Sequence, residues 1–257
     1  MEFIDTHSHL YAEEFDEDRQ IAIERCIEKG VKKIFLPNVD SQSIDRMLKL
    51  ESAFPENCFA MMGLHPCSVN QDFESEIETI KSWLEKRNFI AIGEIGIDLY
   101  WDKTFVAEQI HCFETQIKLA LQYNLPIVIH CRDAFDEIYS VLKKFTQLPK
   151  GIFHCFSGTI QQANQIIELG NFKLGIGGVL TFKNSGLDEV VKNIDLNHLV
   201  LETDSPYLSP APHRGKRNES SYLLIIGEKL AVIKNTTIEE IAEITSENAL
   251  QIFNLKN

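Results

Sequence analysis

Eight short apolar runs recur along this chain, separated by segments of helical period, and this alternation restricts the possible folds more than any other feature. The runs predict strands near Phe3–His7, Lys33–Pro37, Cys58–Gly63, Phe89–Glu94, Pro126–His130, Gly151–His154, Phe172–Gly177 and Leu199–Thr203. Between them Ile21, Ile23, Cys26 and Ile27 return at helical spacing, as do Phe113, Ile117, Ala120 and Leu121. Further helical segments run from Ser41, Glu74, Asp133, Gln161 and Leu187. Strand and helix alternating in this way predict an α/β fold, a (β/α)8 TIM barrel, whose usual length of about 250 residues matches this chain. Two helices follow the eighth run, near Glu219–Lys234 and Ile238–Phe253, with Thr237 placed to cap the second and Glu240 three residues on. An open doubly wound sheet is the competing architecture. It calls for a phosphate-binding glycine pattern after the first strand, where this chain has histidines instead. No linker or low-complexity tract divides residues 1–257, so one domain is expected.

Composition narrows the chemistry. With 257 residues, 44% of them hydrophobic, the chain can bury a large core. Its formal net charge of −13 argues against a protein that coats nucleic acid through a broad basic surface. A local grip on a strand end is still compatible with that charge, because acidic metal ligands count against the total. Six cysteines stand singly, with no C-x-x-C pair, and read as reduced structural residues. The N-terminus lacks the pattern of a signal peptide and no apolar run nears the ~20 residues of a membrane span, so a soluble cytoplasmic protein is expected. The absence of a coiled coil or large apolar stripe favours a monomer.

Chemistry gathers where the runs end. His7 and His9 follow the first, His65 the third, Glu94 closes the fourth, His130 and His154 close the fifth and sixth, and Asp204 follows the eighth. Five of the eight histidines thus stand at strand exits, the face where such barrels build their sites. Positions 7 and 9 point the same way on a strand, a spacing suited to one divalent ion. Each residue alone has a plainer reading, as a helix cap or a satisfied core histidine. Together those readings bury many charged groups in one lumen, which costs several kcal/mol per unpaired charge unless cations accompany them.

These residues sit in strings that resemble the TatD family of metal-dependent deoxyribonucleases, within the amidohydrolase-like barrels. The strings are Asp5-Thr6-His7-Ser8-His9-Leu10, Gly63-Leu64-His65-Pro66, Gly93-Glu94-Ile95-Gly96-Ile97-Asp98, His130-Cys131-Arg132, Phe153-His154-Cys155-Phe156-Ser157-Gly158, Glu202-Thr203-Asp204-Ser205-Pro206-Tyr207-Leu208 and Arg214-Gly215-Lys216-Arg217-Asn218-Glu219. Leu99, where the family usually has an aromatic, and Ser220, where proline is common, depart from its pattern without touching a proposed ligand.

The expected chemistry is two-metal hydrolysis. His7 and His9 hold one ion with Asp204, His130 and His154 hold the other, Glu94 bridges them, and the resemblance implies the same assignment. Two such ions activate water and stabilise both the attacking and leaving oxygens. Asp204 is the candidate general base. The donor set leaves the ion open; the resemblance puts Mg2+ first, with Mn2+ and Zn2+ as alternatives. Arg132, Arg214 and Arg217 are candidate phosphate contacts, the last two in residues 210–217, the densest basic run of the chain. His65 belongs near the metals or the leaving group, Glu202 has the place of a residue orienting a ligand, and Trp101 has the place to stack on a base.

The resemblance implies a 3′→5′ exonuclease acting on DNA strand ends. The same barrel and metals also serve amide and other ester bonds, including aminoacyl esters of tRNA, and the arginine cluster discriminates against a neutral substrate. A metal-stabilised binding protein is the non-enzymatic alternative; it calls for saturated ions closed to solvent.

Overall fold

In the computed structural model, which describes residues 1–255, eight parallel strands appear in the expected order. They are β1 (Phe3–Asp5), β2 (Val31–Leu36), β3 (Cys58–Ala60), β4 (Ile92–Asp98), β5 (Ile127–Arg132), β6 (Gly151–Phe153), β7 (Phe172–Ile176) and β8 (Leu199–Leu201). Helices α1 (Arg19–Glu28), α2 (Ile44–Ala53), α3 (Phe73–Lys86), α4 (Val106–Tyr123), α5 (Phe135–Leu142), α6 (Ile160–Glu168) and α7 (Leu187–Lys192) follow the first seven strands in turn. After β8 come α8 (Leu223–Lys234) and α9 (Ile238–Phe253).

The strands pair as β1-β2-β3 and β4-β5-β6-β7-β8, and two seams close the ring. Met62 bridges to Ile92 at one seam, and Gly93 N–H donates to Met62 O at 3.1 Å. At the other, Ser8 bridges to Ser205, and Asp204 N–H donates to His7 O at 2.9 Å. Closure leaves no open sheet edge, as a barrel requires.

One strand end differs from its expectation in a way that matters for the site. β4 does not stop at Glu94 but runs on to Asp98. Gly96 lets two strands approach closely here. A Cβ at that position would lie 2.0 Å from the carbonyl oxygen of His130, and its φ is +146°.

Apolar residues pack both outside and inside the ring. A small inner layer contains Ile4, Phe35, Met61, Val128, Ile152 and Val200, and the last turns of α9 join it through Ala249, Leu250, Ile252 and Phe253. The Phe253 ring meets Phe35 at 4.4 Å between centroids, so α9 plugs one end of the barrel. Alternation then sets the other end: two residues beyond Val128, Ile152 and Val200 on the same faces stand His130, His154 and Glu202. Thr237 caps α9 as expected, accepting from Glu240 N–H at 3.2 Å. Glu240 does not close a capping box, because its carboxylate accepts from Thr236 instead.

Candidate metal centre

Glu94 stands at the centre of the lumen, buried, with its two oxygens facing different partners. Oε2 lies 3.1 Å from His7 Nε2 and 3.7 Å from His9 Nε2. Oε1 lies 2.8 Å from His130 Nδ1, 2.9 Å from His154 Nε2 and 3.4 Å from His65 Nε2. Asp204 Oδ1 approaches the first pair, 3.8 Å from His7 Nε2 and 3.7 Å from His9 Nε2. Three sets of donor atoms come close enough to share an ion: His7, His9 and Asp204; His7, Glu94 and His154; and His65, Glu94 and His130. His7 therefore belongs to two sets, and its ring stacks on His154 at 3.8 Å.

The rings are oriented by partners on their outer sides. Tyr11 donates its hydroxyl hydrogen to Pro37 O at 2.5 Å, so its oxygen accepts from His9 Nδ1 at 2.9 Å. Asp98 Oδ2 faces His130 Nε2 at 2.8 Å, and Glu202 Oε1 faces His154 Nδ1 at 3.2 Å. Glu202 also accepts from Cys155 N–H at 2.5 Å, and it fits because residue 175 is glycine, whose Cβ would meet Glu202 Oε2 at 2.2 Å. Asp204 adopts a left-handed φ of +56°, tied on both sides by backbone bonds to His7 O and from Tyr207 N–H. Asn218 locks that turn, donating to Thr203 O and Tyr207 O at 2.7 Å each.

Electrostatics follow from burial and these contacts. Burial pushes His7 down to about 4, helped by His154, and holds His9 well below the usual imidazole range. Burial opposes charge on His154 and His130 too, but the carboxylates facing them raise both, His154 strongly. Glu94 resists the upward push of its burial because His154, His65 and His7 hold it well below the carboxylate range. Asp98 is likewise buried yet held at about 2 by its hydrogen bond from His130. Asp204 is the exception: burial outweighs His154 and takes it to about 7.

This donor set fits divalent metal. With Nδ1–H of His9 committed to Tyr11, its Nε2 lone pair faces His7 Nε2 at 3.3 Å and two carboxylate oxygens, acceptors converging on acceptors. A cation relieves that convergence, and mixed imidazole and carboxylate donors suit Zn2+ and Mn2+ as well as Mg2+. Among the described residues, two buried side-chain atoms lack a hydrogen-bond partner, His7 Nδ1 and Glu202 Oε2, and both belong to this cluster.

The centre opens into a cavity of about 750 Å3. Arg132 lines it, its guanidinium 3.8 Å from the Tyr100 ring and 5.3 Å from Trp101, with no ion-pair partner among the described residues. The other two expected phosphate contacts do not line it. Arg217 forks onto Asp18 at 2.6 and 2.7 Å, donates to Glu14 O and lies over Phe15. Arg214 lies over the Phe182 ring, outside the cavity. Of the three, Arg132 alone lines the cavity, while the guanidiniums of Arg214 and Arg217 lie against Phe182 and Asp18. The cysteines are all free, as expected, but Cys67, Cys131 and Cys155 line the cavity and are not merely core residues. Asp98, Tyr11 and Asn218 support the site through contacts that no sequence pattern assigns.

The chain matches the family described as TatD related DNase over residues 4–254. It is 40% identical over 253 residues to YabD of Bacillus subtilis (strain 168), named an uncharacterized metal-dependent hydrolase, with 98% of each chain covered. It is 30% identical over 254 residues to a protein of Pantoea ananatis named 3′-5′ ssDNA/RNA exonuclease TatD, covering 96% of this chain and 97% of that one. The crystal structure of YjjV, a TatD homolog from Escherichia coli K12, superposes with a TM-score of 0.92 at 31% identity, over 99% of this chain and 98% of that one.

Proposed function

Since the chain belongs to the TatD-related DNase family of metal-dependent hydrolases, we propose that it removes nucleotides from the 3′ ends of single-stranded DNA by metal-assisted phosphodiester hydrolysis. The observation that carries this reading is the division of Glu94, with Oε2 turned to His7 and His9 and Oε1 to His130 and His154. In this reading His7, His9 and Asp204 hold one ion, His130 and His154 the other, and Glu94 bridges both. Bound there, divalent ions would supply Lewis-acid stabilisation of the phosphoryl group and a lowered pKa for the attacking water. Mg2+ is placed first among them, with Mn2+ and Zn2+ as alternatives.

Asp204 receives the proton of the attacking water on its carboxylate, and its position at the mouth of the lumen gives it that access. Arg132 holds the phosphate beside the scissile bond. A single unpaired arginine at the cavity suits a strand end, where one or two phosphates enter, better than the interior of a long strand. Exposed Trp101 and Tyr207 at the rim offer faces on which a terminal base stacks. The protein is placed in the cytoplasm as a monomer. No helix among the described residues is long and apolar enough to cross a membrane.

That Arg132 lines the cavity while Arg214 and Arg217 do not also favours, as the second reading, a smaller ester such as an aminoacyl ester of tRNA. A 5′-labelled single-stranded DNA oligonucleotide, incubated with protein and Mg2+, Mn2+ or Zn2+, separates the two. A ladder shortening from the 3′ end, abolished by EDTA and in His130→Ala, supports the exonuclease. Intact DNA in every metal, with the ions bound, moves the function to another ester.

A further inference from the structure

His65 stands with the candidate ligands by distance, its Nε2 3.4 Å from Glu94 Oε1 and 3.3 Å from His130 Nδ1. Its outer side distinguishes it from His9, His130 and His154. His9, His130 and His154 each turn their outer nitrogen to an oxygen that accepts: the Tyr11 hydroxyl, the Asp98 carboxylate and the Glu202 carboxylate. The hydrogen of a neutral ring then sits on the outer nitrogen, and the inner lone pair is free for an ion. The outer nitrogen of His65 is met by a donor instead. Its Nδ1 accepts the backbone N–H of Cys67 at 3.0 Å, as the cap of the short 3-10 turn Pro66–Ser68. A backbone amide can only donate there, so the ring hydrogen must be on Nε2, pointing into the lumen.

We infer that His65 is not a metal ligand but a fixed hydrogen-bond donor, presenting Nε2–H to the phosphoryl oxygen of the substrate. The inference rests on the hydrolase reading for its substrate and on this structure alone for its tautomer. Without an ion, the N–H has Glu94 and His130 as its nearest acceptors. Once those lone pairs are given to a cation, the donor is released to a substrate oxygen in the cavity that His65 lines. A preorganised donor of this kind acts where charge develops, and removing one such donor typically lowers kcat by about 100-fold or more. Gly63-Leu64-His65-Pro66 thus encodes a cap and a donor in one residue: the extended backbone of His65 and Pro66 at the first turn position aim the ring.

His65→Asn separates the donor from the cap, since asparagine caps a helical turn well but is too short to reach the lumen. Three readouts are taken on the full-length protein. Mn2+ titration by calorimetry is expected to give His65→Asn the wild-type stoichiometry and a Kd within about 3-fold, whereas His130→Ala loses binding. Long-range 15N–1H correlation of ring-labelled protein is expected to show His65 protonated on Nε2 both without metal and with Zn2+. Hydrolysis of single-stranded DNA is expected to fall about 100-fold in kcat with little change in KM. A lost ion, a Kd weakened tenfold, a Zn2+-dependent change of the His65 tautomer, or an unchanged kcat overturns the inference. If wild-type protein leaves DNA intact, the proposed function fails, while the titration and the ring spectra still decide whether His65 is a ligand or a donor.

Discussion

His130 gives its Nε2–H to Asp98 Oδ2 across 2.8 Å, and turns Nδ1 to Glu94 Oε1 at the same distance. The pairing fixes ring orientation and tautomer together, the arrangement that makes an imidazole a strong ligand. Asp98 is itself held by Gln109, which accepts from its backbone N–H, and by Tyr100, whose N–H it accepts. Asp98→Ala is therefore expected to weaken Mn2+ binding by about 10- to 100-fold with the fold retained. Competition against a fluorescent chelator measures it, with circular dichroism as the control on folding; an unchanged Kd removes Asp98 from the site.

The two arginines that a sequence reading treats alike are expected to separate. Arg132→Ala removes the one unpaired cation that lines the cavity among the described residues and lowers kcat/KM on single-stranded DNA by about 10- to 100-fold, the worth of a charge-assisted contact. Arg217→Ala leaves that ratio unchanged and lowers Tm by about 1–3 °C, since its pair with Asp18 is partly exposed. Arg217 holds the Asp18 carboxyl below the usual range. That stabilisation is present above the unfolded carboxylate pKa and is lost as pH falls through the lowered folded value. The Tm difference between wild type and Arg217→Ala is expected to shrink as pH is lowered from 7 toward 3.

Much of the site is legible in the sequence because strand ends and barrel geometry are coupled. Once eight alternating segments are read, His7, His9, His130 and His154 fall on one rim. The supports are not legible in this way. Asp98 lies four residues past the expected end of its strand, because Gly96 lets β4 continue close beside β5. The Arg217–Asp18 pair joins residues 199 apart, and no local pattern marks it. No sequence pattern marks Tyr11, and only the Pro37 carbonyl shows which way its hydroxyl points.

The barrel plug carries its own prediction. Phe253 is buried against Phe35 at the end of α9, far from the metal centre in sequence and on the opposite end of the lumen's inner layer. Phe253→Ala is expected to cost about 3–5 kcal/mol by chemical denaturation, through lost burial and the cavity left behind. Metal stoichiometry stays at the wild-type value in the folded fraction.

Metal is expected to stabilise the folded chain by mass action, because its donors converge only there. At 100 times Kd the gain is about 2.7 kcal/mol, or about 5–10 °C in Tm for a chain of this size. Differential scanning fluorimetry with Mn2+, Zn2+ or Mg2+ after EDTA treatment reads the shift. The same shift is expected to disappear in Glu94→Gln.

The most direct test of a Glu94-centred hydrolytic metal site measures bound metal and DNA cleavage on one preparation. Protein stripped with EDTA is reloaded stepwise with Mn2+, metal per chain is counted by mass spectrometry, and release of nucleotide from the 3′ end is followed at each step. A Glu94-centred site predicts that cleavage rises with bound metal to saturation, and that Glu94→Gln loses both. Stripped protein that cleaves as fast as reloaded protein, or Glu94→Gln that keeps full metal and full rate, contradicts it.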